Sequence, residues 1–145
     1  MDNEENIERG IATLEVLRAQ IENLQRQMDA LQVSIQEHQR AIETLRGYRE
    51  MDNKEILVPI GAGVFISAVV SSKRGMISIG NQLFTELSIE EIIKKLEERR
   101  KNLEELLKKL SEDSYKLQQN YAALSEKVEE DYRRYLEERK NVQAP

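Results

Sequence analysis

The stretch ILVPIGAGVFISAVVSS, residues 56–72, carries no charge in a chain of which 34% is Asp, Glu, Lys or Arg. A membrane-spanning helix needs about 20 predominantly apolar residues. This run has 17, interrupted by Pro59, Gly61, Gly63 and three serines. A β reading accounts for more of it. The runs EILVPI (55–60), VFISAVV (64–70), MISIG (76–80) and LFTEL (83–87) are short, β-prone and separated by glycine or polar residues. That pattern predicts two β-hairpins between about 55 and 87. Gly61 and Gly63 bracket the first turn, where a positive φ suits glycine. SSKRG (71–75) reads as a turn between hairpins, and Pro59, lacking an N–H, as an edge-strand residue.

Two hairpins enclose little core, and a lone hairpin is marginal in water. Their open edges and apolar faces call for strands from other chains. The residues assigned to subunit assembly are Ile56, Leu57, Val58, Ile60, Val64, Phe65, Ile66, Val69, Met76, Ile77, Ile79, Leu83 and Phe84.

Long polar arms flank this patch. In the first, Leu14, Leu17, Ile21, Leu24, Met28, Leu31, Ile35, His38, Ile42 and Leu45 alternate in steps of three and four, extending back to Gly10 and Ile7. This is a coiled-coil seam, and it predicts a helix over about 4–47. Asp2 and Glu5 suggest a loose capping box, Gly47 a stop, and His38 a polar residue that sets register. The second helix is predicted over about 88–141. Ser88 and Glu91 form a capping box, with Leu87 and Ile92 as a hydrophobic staple. Ile89, Leu96, Leu103, Leu110, Leu117 and Leu124 recur every seven residues. Their companions change from Ile92 and Leu106 to Leu107, Tyr121, Val128 and Tyr135, which predicts a seam drifting around the helix. Acid-first i, i+4 pairs such as Glu90–Lys94 and Glu97–Lys101 read as an exposed ladder, and EERRK (97–101) as a solvated face.

Composition sets the bounds. The chain has 145 residues, a net charge of −5 and 39% hydrophobic residues, thin material for a globular core. A single domain, residues 1–145, that is elongated or built into an assembly is expected. Residues 1–50 carry six basic and ten acidic side chains, and residues 88–145 carry thirteen and fourteen. Neither arm offers the basic surface nucleic acid requires. There is no cysteine, a lone histidine, no paired carboxylates in an apolar setting and no complete phosphate-loop motif. No catalytic residue, metal site or cofactor is therefore assigned, and the chain is not expected to be an enzyme. The acidic start, MDNEENIERG, lacks an apolar signal region, in keeping with a cytoplasmic protein.

The order of a long helix, KEILVPIGAGVFISAVV (54–70), GMISIG (75–80) and SIEEIIKKLEER (88–99) resembles the α-class subunits of prefoldin over nearly the whole chain. Two hairpins rather than one is the mark of that class. The resemblance implies an α+β fold, a long antiparallel coiled coil with two central β-hairpins that join other subunits in a β-barrel platform. It implies a hexamer of two α with four prefoldin β-class subunits. It also implies an ATP-independent co-chaperone that holds unfolded polypeptides at the coiled-coil tips and passes them to a group II chaperonin. The tip would then comprise Ile7, Ile11, Leu14, Val16, Tyr132, Tyr135, Leu136 and Val142, more apolar groups than one two-helix seam consumes. The rival is a structural or tethering coiled coil that oligomerises through its hairpins and binds no client.

Overall fold

The computed structural model describes residues 2–143. Helix α1 spans Asp2–Arg49, β1 Glu55–Gly61, β2 Val64–Val69, β3 Arg74–Gly80, β4 Leu83–Ser88 and α2 Ile89–Gln143. The chain divides into two compact units, residues 1–32 with 105–145 and residues 33–104.

The α1 seam is as read from sequence. Ile7, Gly10, Met28 and Ile42 are buried, and Leu14, Leu17, Ile21, Leu24, Leu31, Ile35, His38 and Leu45 are half-buried. The predicted stop at Gly47 is not used, and α1 runs through it to Arg49. Asp2 lies inside the helix rather than capping it. With Glu4 and Glu5 it places negative charge in the first turn, where the helix dipole favours it.

The α2 seam differs from the expectation. It does not drift. Ile89, Ile93, Leu96, Arg100, Leu103, Leu107, Leu110, Ser114, Leu117, Tyr121, Leu124, Val128, Asp131 and Tyr135 alternate in steps of four and three, and each is buried or half-buried. One heptad frame holds throughout, with polar Arg100, Ser114 and Asp131 in seam positions. The apolar residues sought as companions, Ile92 and Leu106, lie off the seam: Ile92 is buried elsewhere and Leu106 is exposed. The EERRK stretch is likewise no solvated face, because Arg100 enters the seam and Arg99 Nη2 donates to the Ser78 carbonyl at 2.9 Å.

Within each unit the helices pair antiparallel. In the first, Asn3 Nδ2 donates to Glu138 Oε2 at 3.1 Å. In the second, Ile42, wholly buried, packs with Ile89 and Ile93, flanked by Leu45, Tyr48 and Leu96. Arg46 pairs with Glu97 at 2.7 Å and Arg49 with Glu90 at 3.1 Å. Those two carboxylates, expected to pair along α2, instead cross to α1. Being exposed, each pair contributes about 1 kcal/mol at most.

Each pair of strands forms its own two-stranded antiparallel sheet. The second hairpin repeats the first 19 residues on: Glu55↔Val69 becomes Arg74↔Ser88, and Gly61↔Val64 becomes Gly80↔Leu83. Both have the same irregularity before the turn, at Ile60 and at Ile79. Both turns hold their two central residues at positive φ, Ala62 (51°) with Gly63 (74°) and Asn81 (50°) with Gln82 (61°), each pair following a glycine also at positive φ, Gly61 (107°) and Gly80 (103°). This is the geometry that matches the twist of paired strands. SSKRG is only partly a turn, because β3 already begins at Arg74.

Candidate functional site

The hairpins are held at their bases. Tyr48 Oη on α1 donates to the Ser72 carbonyl at 2.8 Å, and Asn53 and Val70 anchor the entry and exit of the first hairpin through Asn53 N–Val70 O (3.2 Å) and Val70 N–Lys54 O (3.0 Å). Lys73 forms an ion pair with Asp52 at 3.1 Å. At the second hairpin, Ile89 N donates to the Lys73 carbonyl at 2.9 Å. The Ser88 hydroxyl accepts from Glu91 N at 3.2 Å, the cap the sequence announced. Gly75 of β3 lies under Ile89 and Ile92, so close that a methyl group there would meet Ile92 Cδ1 at 3.0 Å. Ile92 thus serves the hairpin, whereas Leu87 is held in β4 opposite Gly75.

Burial alternates along β1 and β3, whereas β2 and β4 expose successive residues on both faces at their turn ends. Ile77 shares a face with Gly75 and is buried, and Ile56 and Val58 are half-buried. The other ten residues assigned to assembly, Leu57, Ile60, Val64, Phe65, Ile66, Val69, Met76, Ile79, Leu83 and Phe84, are exposed, Leu57 at 67% and Met76 at 70%. Side chains of this size rarely stand together in water on a monomer. The first hairpin has a single charge, at Glu55, while the second carries an Arg74–Glu86 ion pair across its strands at 3.2 Å.

The second candidate surface lies in the unit that holds the chain ends. Ile7 is buried in the seam, and Leu14 and Tyr135 are half-buried there. Ile11, Val16, Tyr132, Leu136 and Val142 are exposed, Val142 at 85%. Leu136 lies in a shallow surface pocket with Arg133, Glu137, Arg139 and Lys140, an apolar floor rimmed by charge. Val33, Leu106 and Tyr115 are also exposed, and sequence reasoning assigned them to neither surface. Among the described residues no group of three or more His, Asp or Glu side chains is placed to hold a metal ion. No helix among them is long and apolar enough to cross a membrane.

A family model described as "Prefoldin subunit" matches residues 17–134. The chain belongs to the prefoldin family. It is 31% identical to a prefoldin subunit alpha of Archaeoglobus fulgidus over 105 residues, which is 71% of this chain and 77% of the relative. It is 35% identical to a prefoldin subunit alpha of Pyrococcus horikoshii, over 68% of this chain and 69% of the relative. The cryo-EM structure of a filamentous prefoldin from Methanocaldococcus jannaschii superposes with a TM-score of 0.55 at 26% identity. It covers 82% of this chain and 94% of its own. Two long helices joined through two antiparallel hairpins are thus the prefoldin fold, and the α-class resemblance drawn from residues 54–99 is matched by the alpha-subunit relatives.

Proposed function

We propose that this chain is the α-type subunit of an ATP-independent, cytoplasmic co-chaperone. Its hairpins join those of prefoldin β-class subunits, two α with four β, in a β-barrel platform. The free ends of its coiled coil hold unfolded polypeptides and release them to a group II chaperonin. The observation that carries the reading is the set of ten large apolar side chains left exposed on the two hairpins, which need strands from other chains to cover them. For the client, the exposed apolar residues Ile11, Val16, Tyr132, Leu136 and Val142 supply a weak, sequence-tolerant grip between charged neighbours.

Two measurements test this. Native mass spectrometry of the chain captured from its own cell lysate is expected to give a complex with a shorter chain, at two to four. Deleting residues 1–12 and 131–145 is expected to abolish suppression of client aggregation while leaving that complex intact. Protection that survives the deletion would place the client elsewhere.

The similarity to a filamentous prefoldin favours a second reading, in which copies of this chain alone form the assembly. Recovery of only this chain from the lysate would select it.

A further inference from the structure

Among the described residues, the α2 seam holds one cation. Arg100 lies between Ile93 and Leu96 on one side and Leu103 and Leu107 on the other, all covered. Its Nη1 donates to Gln39 Oε1 of α1. Its Nε is buried without a hydrogen-bond partner, and the Glu104 carboxylate, its ion-pair partner along α2, stands 3.7 Å from it. A buried donor without an acceptor weakens a fold, whereas an apolar side chain of similar volume does not. A polar residue at a single seam position fixes the partner and the register at the expense of stability.

The rest of the seam shows what such a residue would prevent. Without Arg100, α2 would present Ile89, Ile93, Leu96, Leu103, Leu107 and Leu110 with only one position between them left to fill. An uninterrupted apolar seam of three heptads pairs readily with itself. We propose that Arg100 selects the partner of α2: it admits α1, where Gln39 offers an acceptor, and rejects α2 of a second copy. In a parallel, in-register pair of α2 helices, Arg100 would face Arg100 in a seam that has only Ile and Leu on either side. Like charges so placed repel, and each guanidinium would lose the Gln39 acceptor and keep only the Glu104 carboxylate of its own helix. Any assembly that gathers several copies holds their helices at high effective concentration, so this discrimination governs which helices pair.

The test is Arg100→Leu in the full chain, mixing isotope-labelled and unlabelled protein and applying an amine-reactive cross-linker. Lys101 and Lys108 follow the position along α2 and report α2–α2 proximity. Arg100→Leu is expected to raise the melting temperature and to increase, several-fold over the parent, mixed-isotope links that join Lys101 to Lys101 or Lys108 to Lys108. Arg100→Lys, which keeps the charge, is expected to show the parental pattern. Parental link levels in Arg100→Leu overturn the proposal, whichever way the melting temperature moves. Should Arg100→Leu lose its helicity, Arg100→Gln carries the test: removing the charge must raise the same links, and unchanged links overturn the proposal equally.

Discussion

Replacing Gly10 by alanine sets two effects of opposite sign against each other. In an exposed helix interior the change stabilises by about 0.5–1 kcal/mol, because alanine loses less backbone freedom on folding. Gly10, however, is a seam residue, and a Cβ built on it lies 2.5 Å from Val128 Cγ2. Ordinary carbon–carbon contact is about 3.5–4.0 Å, so one group must yield by an ångström or more. Val128 is β-branched with a stiff χ1, and Cγ2 does not swing away freely. Overpacking of this kind costs about 1–3 kcal/mol. Gly10→Ala is therefore expected to destabilise by up to about 2.5 kcal/mol net of the propensity gain. The assay is urea unfolding followed by helical circular dichroism at fixed protein concentration, with Val128→Ala and the double variant completing a cycle. In Val128→Ala the obstructing methyl is gone, so adding Gly10→Ala there should recover the propensity gain, with a coupling energy of about 1–3 kcal/mol. If Gly10→Ala alone raises stability and the coupling is near zero, the helices do not approach closely at Gly10 and the seam assignment at that end is wrong.

Ile42→Ala, at a wholly buried seam position, is expected to lower stability by about 2–5 kcal/mol, read as a shift of the urea midpoint at constant slope. Ser88→Ala removes the acceptor of the Glu91 N–H and is expected to cost about 0.5–2 kcal/mol; hydrogen exchange of the first α2 turn should quicken selectively. Ala62→Asn converts the first turn to Asn-Gly while keeping the positive φ of 51°. It is expected to slow exchange of the β1–β2 amides and stabilise the hairpin by a few tenths of a kcal/mol up to about 1; faster exchange would show that the turn has another geometry.

Both helices, both hairpins and the family were legible in the chain. Periodicity located the α1 seam residue by residue, and Ser88 with Glu91 announced the start of α2. The α2 seam misled because apolar residues were sought at every position. Arg100, Ser114 and Asp131 occupy seam sites, while Ile92, with the right chemistry, is drawn off to cover Gly75 of a strand remote from it in the helical pattern. Long side chains deceive in the same way: Glu90 and Glu97 have lysines four residues on, but tertiary packing offers them Arg49 and Arg46. Among the candidate tip residues, heptad phase alone buries Ile7 and leaves Ile11 exposed, a distinction that residue spacing already carries. The hairpin repeat was also present in sequence, as PIGAGVF against SIGNQLF, but only the strand register makes so short a similarity meaningful.

That repeat fixes the valence of the chain. In the proposed assembly, two hairpins of one register are two attachment points of one kind, so each chain can be a link rather than an end. Units of valence two, joined hairpin to hairpin, close into rings or run on as open polymers, depending on the rotation between neighbours. A companion with one hairpin has valence one and terminates whatever it joins. The proportion of the two kinds of chain, rather than the strength of any single contact, would then set the size of the particle.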